Sequence, residues 1–270
     1  MKLALTGLAI VLASSLFPLP VSRPIGPPPA SSAASEATPV VVELFTSEGC
    51  SSCPPADALL ARLESTQPIP GARIVAIEEH VDYWNHLGWV DPFSSPDWTA
   101  RQQDYAAAFR EDGEYTPQMV VGGRDEFVGS RSDLASKSIE RALGLPRVAV
   151  TLAPSGGDGA NEPRFLVRVE KLTTLAPGDS AEVSILVTEA ALASEVARGE
   201  NQGRKLHHAS VLRSLRRIGT ADRLAANAFE GTVALKLKPE WKRDNLTAVV
   251  LVQEKKSRHI LGAASARIAN

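Results

Sequence analysis

Cys50 and Cys53, the only cysteines of this 270-residue chain, stand three apart in Cys50-Ser51-Ser52-Cys53-Pro54-Pro55. Thiols at this spacing close a small disulfide ring. At a helix start the dipole favours the thiolate, the form that attacks a disulfide. The pair fits dithiol–disulfide exchange. Cys50, nearer the helix start and expected to be the more exposed, attacks or is attacked, and Cys53, one turn on, resolves the mixed disulfide. Ser51 and Ser52 add hydroxyls but no charge, so the direction of exchange stays open. With no third cysteine, a larger disulfide framework is excluded. Two rival readings use the same pair. In one, Cys50, Cys53 and His80, with His86 as a further ligand, carry copper or zinc, although no second CxxC or tight histidine pair completes a four-ligand set. In the other, the disulfide only stiffens the helix start of a non-catalytic binding protein. The oxidoreductase reading is preferred, with no cofactor and no resident metal.

A second group of candidates is Glu78-Glu79-His80-Val81-Asp82-Tyr83-Trp84, just past the end of an apolar strand. Loops at the carboxyl ends of parallel strands converge on the active face of open α/β sheets. His80 is a catalytic candidate, able to hydrogen-bond a thiolate or shuttle a proton. Asp82 either orients His80 or caps the following turn. Glu43 either points beneath the thiols as a proton acceptor or faces outward from its strand. Trp84 and Trp89 are candidates to bind substrate in an apolar groove beside Cys50. Trp98, Tyr105 and Phe109 read instead as a local core. Arg198, Arg204, Lys205, Arg213, Arg216 and Arg217, with His207 and His208, read as a solvated basic strand face, with docking of an acidic partner as the alternative.

The elements that must position these groups follow from periodicity. Val40–Thr46 is a buried-type strand, and Pro54 and Pro55 suit the first turn of a helix whose apolar face is Ala56, Leu59, Leu60 and Leu63. Arg73–Ile77 is a second buried strand, so the cysteines lie at the first turn of a βαβ unit. A helix starting at Ser95-Pro96-Asp97 forms an insertion. A hairpin pairs Gln118–Val121 with Glu126–Gly129, and a last helix starts with capping-box spacing at Ser130 and Asp133. This is the pattern of an α/β thioredoxin-like domain with a helical insertion, spanning 40–146. Thr116-Pro117 takes the place of the cis-proline loop that faces the cysteines in such folds, with Pro117 framing a substrate chain and Thr116 binding it. From 147 to 270, seven short alternating runs predict an antiparallel β-sandwich-like domain.

Lys2 followed by the apolar run Leu3–Phe17 reads as a signal peptide, residues 1–20, and residues 21–39, rich in Pro, Ser and Ala, as a disordered leader. The folded part is therefore expected to be secreted or periplasmic, where disulfides persist. Membrane contact is expected only if the N-terminal segment stays uncleaved. A net charge of −2 gives no pull toward nucleic acid. The expected partners are a protein or small-molecule thiol or disulfide and a redox partner that the sequence does not name.

Glu43-Leu44-Phe45-Thr46-Ser47-Glu48-Gly49-Cys50-Ser51-Ser52-Cys53-Pro54-Pro55 resembles the start of a bacterial secreted thioredoxin-like family long filed as a domain of unknown function. The resemblance continues through His80-Val81-Asp82-Tyr83-Trp84, Leu87-Gly88-Trp89, Asp91-Pro92-Phe93 and Tyr115-Thr116-Pro117-Gln118-Met119-Val120-Val121, and reaches Gly199-Glu200-Asn201 with Gly203-Arg204. It implies a thioredoxin-like fold with a β-rich second domain and, by analogy of fold, thiol oxidoreductase activity. Asn85 stands where an acidic residue is expected.

Overall fold

Two parallel strands carry the cysteine turn. β1 (Thr38–Thr46) and β2 (Ala72–His80) run in register from Thr38 opposite Ala72 to Thr46 opposite His80, with α1 (Pro54–Thr66) connecting them. The structure is a computed structural model and describes residues 37–156 and 162–268. The expected signal segment lies outside the described residues. So does the leader up to residue 36; its last two residues, Thr38 and Pro39, belong to β1.

α1 begins as its prolines dictate and buries Ala56, Asp57, Leu59, Leu60 and Leu63. α2 (Pro96–Phe109) starts at Ser95, whose hydroxyl accepts the Asp97 N–H. β3 (Gln118–Val121) pairs antiparallel with β1, and β4 (Asp125–Val128) with β3. α3 (Ser132–Leu143) starts one residue later than the Ser130–Asp133 spacing suggests. Its cap is Arg131 with no side-chain cap, and Asp133 pairs with the Arg131 guanidinium instead.

The seven later strands are β5 (Val150–Pro154), β6 (Arg164–Glu170), β7 (Ala181–Glu195), β8 (Lys205–Ala221), β9 (Asn227–Ala234), β10 (Leu246–Glu254) and β11 (Ile260–Arg267). They do not form a sheet system of their own. Four join the first half in one eight-stranded sheet, ordered β11-β10-β7-β8-β2-β1-β3-β4, while β5, β6 and β9 form a second, three-stranded sheet. Strands from either side of the expected boundary at 146 and 147 thus share hydrogen bonds, and the described residues form one compact unit. Phe165, Val167 and Val169 of β6 share a core with Val183, Ile185 and Val187 of β7 and Ala248, Val250 and Val252 of β10. The physical reason for the fusion is the open edge of β2. Its unpaired backbone groups need a neighbour, and β8 supplies one.

That neighbour is held at a single bridge, Glu78 opposite Val211. Before it, β8 leaves the ladder and crosses α1, with Ala209 in the α1 core and Ser210 Oγ donating to Glu64.

Strand alternation sorts the ionisable groups by face. Val40, Val42, Leu44, Ile74 and Ala76 pack with α1 and α3. The opposite residues Val41, Val75 and Ile77 pack with Trp98 of α2. Glu43 and Glu79 fall on this second face, where both are buried and bound by Arg101 of α2, with Tyr105 also donating to Glu43. Glu43 is therefore neither beneath the thiols nor exposed. Burial, and after it the Glu43 charge, raises the Glu79 carboxyl well above its usual range despite Arg101. Arg101→Met should cost about 3–5 kcal/mol in denaturant unfolding, because it strands buried carboxylates without their cation. A loss below about 1 kcal/mol would show that the network tolerates its removal.

Candidate functional site

Cys50 and Cys53 are joined in a disulfide, with Cα atoms 5.5 Å apart, between the end of β1 and the first turn of α1. Both are 0 % exposed, so Cys50 is not the accessible member expected from its place at the helix start. The tip of the β7–β8 hairpin covers it. Asn201 Nδ2 donates to the carbonyls of both Glu48 and Cys50 at 2.9 Å, and its Oδ1 accepts from Arg204 Nη1 at 2.8 Å. Beside it, Glu200 Oε2 accepts the Ser51 N–H at 3.1 Å, and the Ser51 hydroxyl, then this N–H, lower the Glu200 pKa.

The expected substrate-binding residues border the same turn. Trp84 Nε1 donates to Thr116 Oγ1 at 2.8 Å, and a Cβ on Gly49 would stand 3.0 Å from the Trp84 Cβ, so only glycine lets this ring lie against the cysteine turn. The Thr116–Pro117 bond is cis. Gly129 donates its N–H to Pro117 O, and a Cβ there would stand 3.1 Å from Ala56 and 3.2 Å from Pro117. Pro117 is thereby packed at the start of α1. Trp89 Nε1 donates to Glu48 Oε2 at 2.8 Å. Both tryptophans are half-buried, Trp89 hydrogen-bonded into the cysteine turn and Trp84 into the cis-proline loop.

Beneath the turn lies a buried cluster of imidazoles and carboxylates. His80 Nδ1 is 2.7 Å from Asp91 Oδ2, which also accepts the Glu48 N–H. His208 bridges two glutamates, with Nδ1 2.7 Å from Glu78 Oε1 and Nε2 3.0 Å from Glu48 Oε1. Glu78 Oε2 accepts the Ala209 N–H at 2.7 Å, which anchors β8 where its ladder with β2 ends. His80 Nε2 is 3.4 Å from Glu78 Oε1 and makes no hydrogen bond. The rings of His80 and His208 meet edge to face at 4.6 Å, and Phe93 lies 5.4 Å from each.

Burial opposes charge on both rings, but the carboxylates overcome it. Asp91 and Glu78 push His80 well above its usual value, and Glu48 and Glu78 push His208 up to about 9. Burial likewise opposes ionisation of Glu78, yet the hydrogen bond from His208 and the charges of both rings hold it down to about 2. Asp57, in the first turn of α1, behaves oppositely. Burial, then the Glu78 charge, raises it from 3.8 to about 7, against the hydrogen bond from Thr46 Oγ1 and the charges of His208 and His80.

Asp91, not Asp82, orients His80; Asp82 accepts from Thr99 Oγ1 at 2.6 Å, which ties its loop to α2. Asn85 accepts the Asp91 N–H and donates to Ser94 Oγ, a pairing that a carboxylate lacking an N–H could not make in full. His86 is exposed and stands outside the cluster, and the disulfide removes both thiols as ligands, so the Cys50–Cys53–His80–His86 metal set is not assembled.

Residues 41–253 match the family described as "Protein of unknown function (DUF1223)". The chain belongs to the DUF1223 family. Among solved structures it is similar to protein AGR_C_4864 from Agrobacterium tumefaciens, at 26% identity over 87% of this chain and 96% of that one, with a TM-score of 0.67. HBP35 of Porphyromonas gingivalis shares the fold at 15% identity, over 86% of this chain and 76% of that one, with a TM-score of 0.60. No curated protein matches the chain.

Several site residues of this DUF1223 chain escape a reading by sequence. His208 reads as part of a basic surface, yet it is buried, as are Leu206 and every residue from Ala209 to Leu212. Asp57 lies among Ala56 and Leu60 on the apolar stripe of α1, which was its available signal. Glu48, Asp91 and Asn201 sit inside the motifs that carry the family resemblance, and only their partners reveal their work.

Proposed function

We propose that this protein is an extracytoplasmic thiol–disulfide oxidoreductase with a thioredoxin-like active-site half. The observation that carries this reading is the Cys50–Cys53 disulfide at the junction of a parallel strand and the first turn of α1. A substrate thiolate attacks one sulfur, the other leaves as a thiolate, and a second substrate thiol releases the substrate as a disulfide and the protein as a dithiol. The reverse sequence oxidises the protein. Cys50 forms the mixed disulfide and Cys53 resolves it. Asp57, one helical turn after Cys53 and with a pKa near 7, takes up and returns the Cys53 proton. Thr116, Pro117, Trp84 and Trp89 border the entry. His80 acts through the cluster rather than on a thiol, because its one free nitrogen faces Glu78.

A persistent disulfide suits a compartment outside the cytoplasm, as does the apolar N-terminal run. Among the described residues no helix is long and apolar enough to cross a membrane.

Cys50→Ala is expected to abolish dithiol exchange in an insulin-reduction or dithiol-oxidation assay. Full activity in that variant would sink the assignment. A reduction potential below about −300 mV would instead mark the disulfide as structural.

A further inference from the structure

The histidine–carboxylate cluster is wired in a way that thiol exchange does not require. We propose that Glu78, His80 and His208 form a buried site for one divalent transition-metal ion of the zinc class, held independently of the cysteines.

The three donor atoms, Glu78 Oε1, His80 Nε2 and His208 Nδ1, belong to a group whose ligand atoms all lie within 4.8 Å of one another. Donors about 2.1 Å from a tetrahedral ion stand about 3.4 Å apart. His80 Nε2 is already 3.4 Å from Glu78 Oε1, and His208 Nδ1, at 2.7 Å, has to open by about 0.7 Å to reach the same separation.

The outer partners point the same way. Each ring places its far nitrogen on a carboxylate, His80 Nδ1 on Asp91 at 2.7 Å and His208 Nε2 on Glu48 at 3.0 Å, so both near nitrogens face Glu78 Oε1. This is the arrangement by which carboxylates orient metal-bound histidines and raise their basicity. The second oxygen of Glu78 is fixed by the Ala209 N–H. Independently, His80 Nε2 is fully buried, has no hydrogen-bond partner and is aimed into the group. A buried ring nitrogen left without a partner is costly, and an ion among the three donors satisfies it.

The donor set selects among ions. Two imidazoles and one carboxylate suit zinc and its neighbours rather than calcium or magnesium, which prefer all-oxygen shells. Three protein ligands leave a fourth position open, as in catalytic zinc sites. Phe93 walls one side of the ring pair, and Trp89 and Asn201 hold Glu48 and its backbone above it.

The test uses the full chain with its disulfide intact, stripped with a chelator and titrated with Zn²⁺ or Co²⁺ at several pH values between about 7 and 9, since a bound ion must displace the ring protons. One equivalent is expected to bind, with the visible absorption of four-coordinate Co²⁺ and a metal-dependent rise in Tm. His80→Gln should weaken binding by more than about a hundredfold, and Asp91→Asn by about 10–100-fold. A Cys50→Ser/Cys53→Ser double variant should bind as the wild type does. Failure of the wild-type disulfide form to bind either ion or to gain Tm would overturn the proposal without recourse to any variant. Unchanged affinity in His80→Gln, or loss of binding in the double cysteine variant, would overturn it too, the latter in favour of thiolate ligation.

Discussion

Replacing Asn201 with alanine is expected to speed reduction of the Cys50–Cys53 disulfide by a small dithiol about thirty-fold. A reductant must reach a sulfur that is fully buried, so reduction passes through an opened state of the hairpin tip. Asn201 ties that tip down. Its amide donates to the Glu48 and Cys50 carbonyls and accepts from Arg204, all inside the protein. Removing the side chain leaves two buried carbonyls short of a donor, a loss of about 2 kcal/mol for the closed state. Glu200→Gln serves as the control. Its contact with Ser51 is exposed and an amide oxygen can replace it, so the rate should change less than about twofold. Equal reduction rates for wild type and Asn201→Ala would mean that the tip does not gate the disulfide.

Asp57→Asn is expected to gain stability over the wild type as pH rises from 4 to 8. The folded-state pKa of Asp57 stands at about 7 against 3.8 for the free group, so between these values the folded protein holds a proton that the unfolded chain has released. Wild-type stability from this group is therefore complete below about pH 4 and is lost as pH climbs toward 7. The groups facing Asp57 are Glu78 and His80 from β2, His208 from β8 and Thr46 from β1, and Glu78 is the one that adds to the burial effect. An asparagine keeps the Thr46 hydrogen bond and has no charge to bury. The advantage of the variant should grow by an amount on the order of 4 kcal/mol across this range, read from urea midpoints at each pH. A difference that stays flat with pH would show that Asp57 ionises normally. If Asp57 also carries the Cys53 proton, the same variant slows exchange near pH 7 by about a hundredfold and loses the inflection of the wild-type rate profile there. A stability effect without a rate effect would confine Asp57 to a structural role.

Much of the scaffold was legible because its signals are local. The apolar run before the cysteines, the two prolines after them and the 3.6-residue stripe of α1 depend on neighbours within a few residues, and so do the Ser95 cap of α2 and the β3–β4 hairpin. Strand positions after residue 147 were legible for the same reason, except that of β9, which the alternating run Val233–Leu237 overlaps at only two residues. Their assembly was not. Alternation marks β7, β8, β10 and β11 as strands, but nothing within them says that β8 pairs in parallel with β2, more than a hundred residues earlier. Faces were half legible. Alternation separates Glu43 and Glu79 from Glu78 and His80, but it does not say that Arg101 waits on one side and His208 on the other.

The sequence by itself determined that a lone CxxC sits between a buried strand and a helix start, because propensity, proline placement and periodicity act over a few residues. Only the tertiary structure decided what surrounds that pair. Glu48, Asp57, Glu78, His80, Asp91 and His208 come from separate stretches of chain and meet only because two parallel strands, one helix and a hairpin tip converge on the same end of the sheet. Their ionisation depends on that convergence, since burial and charge act through space and not along the chain. The covering of Cys50 by Asn201 is of the same kind: a contact spanning 151 residues that local pattern cannot specify.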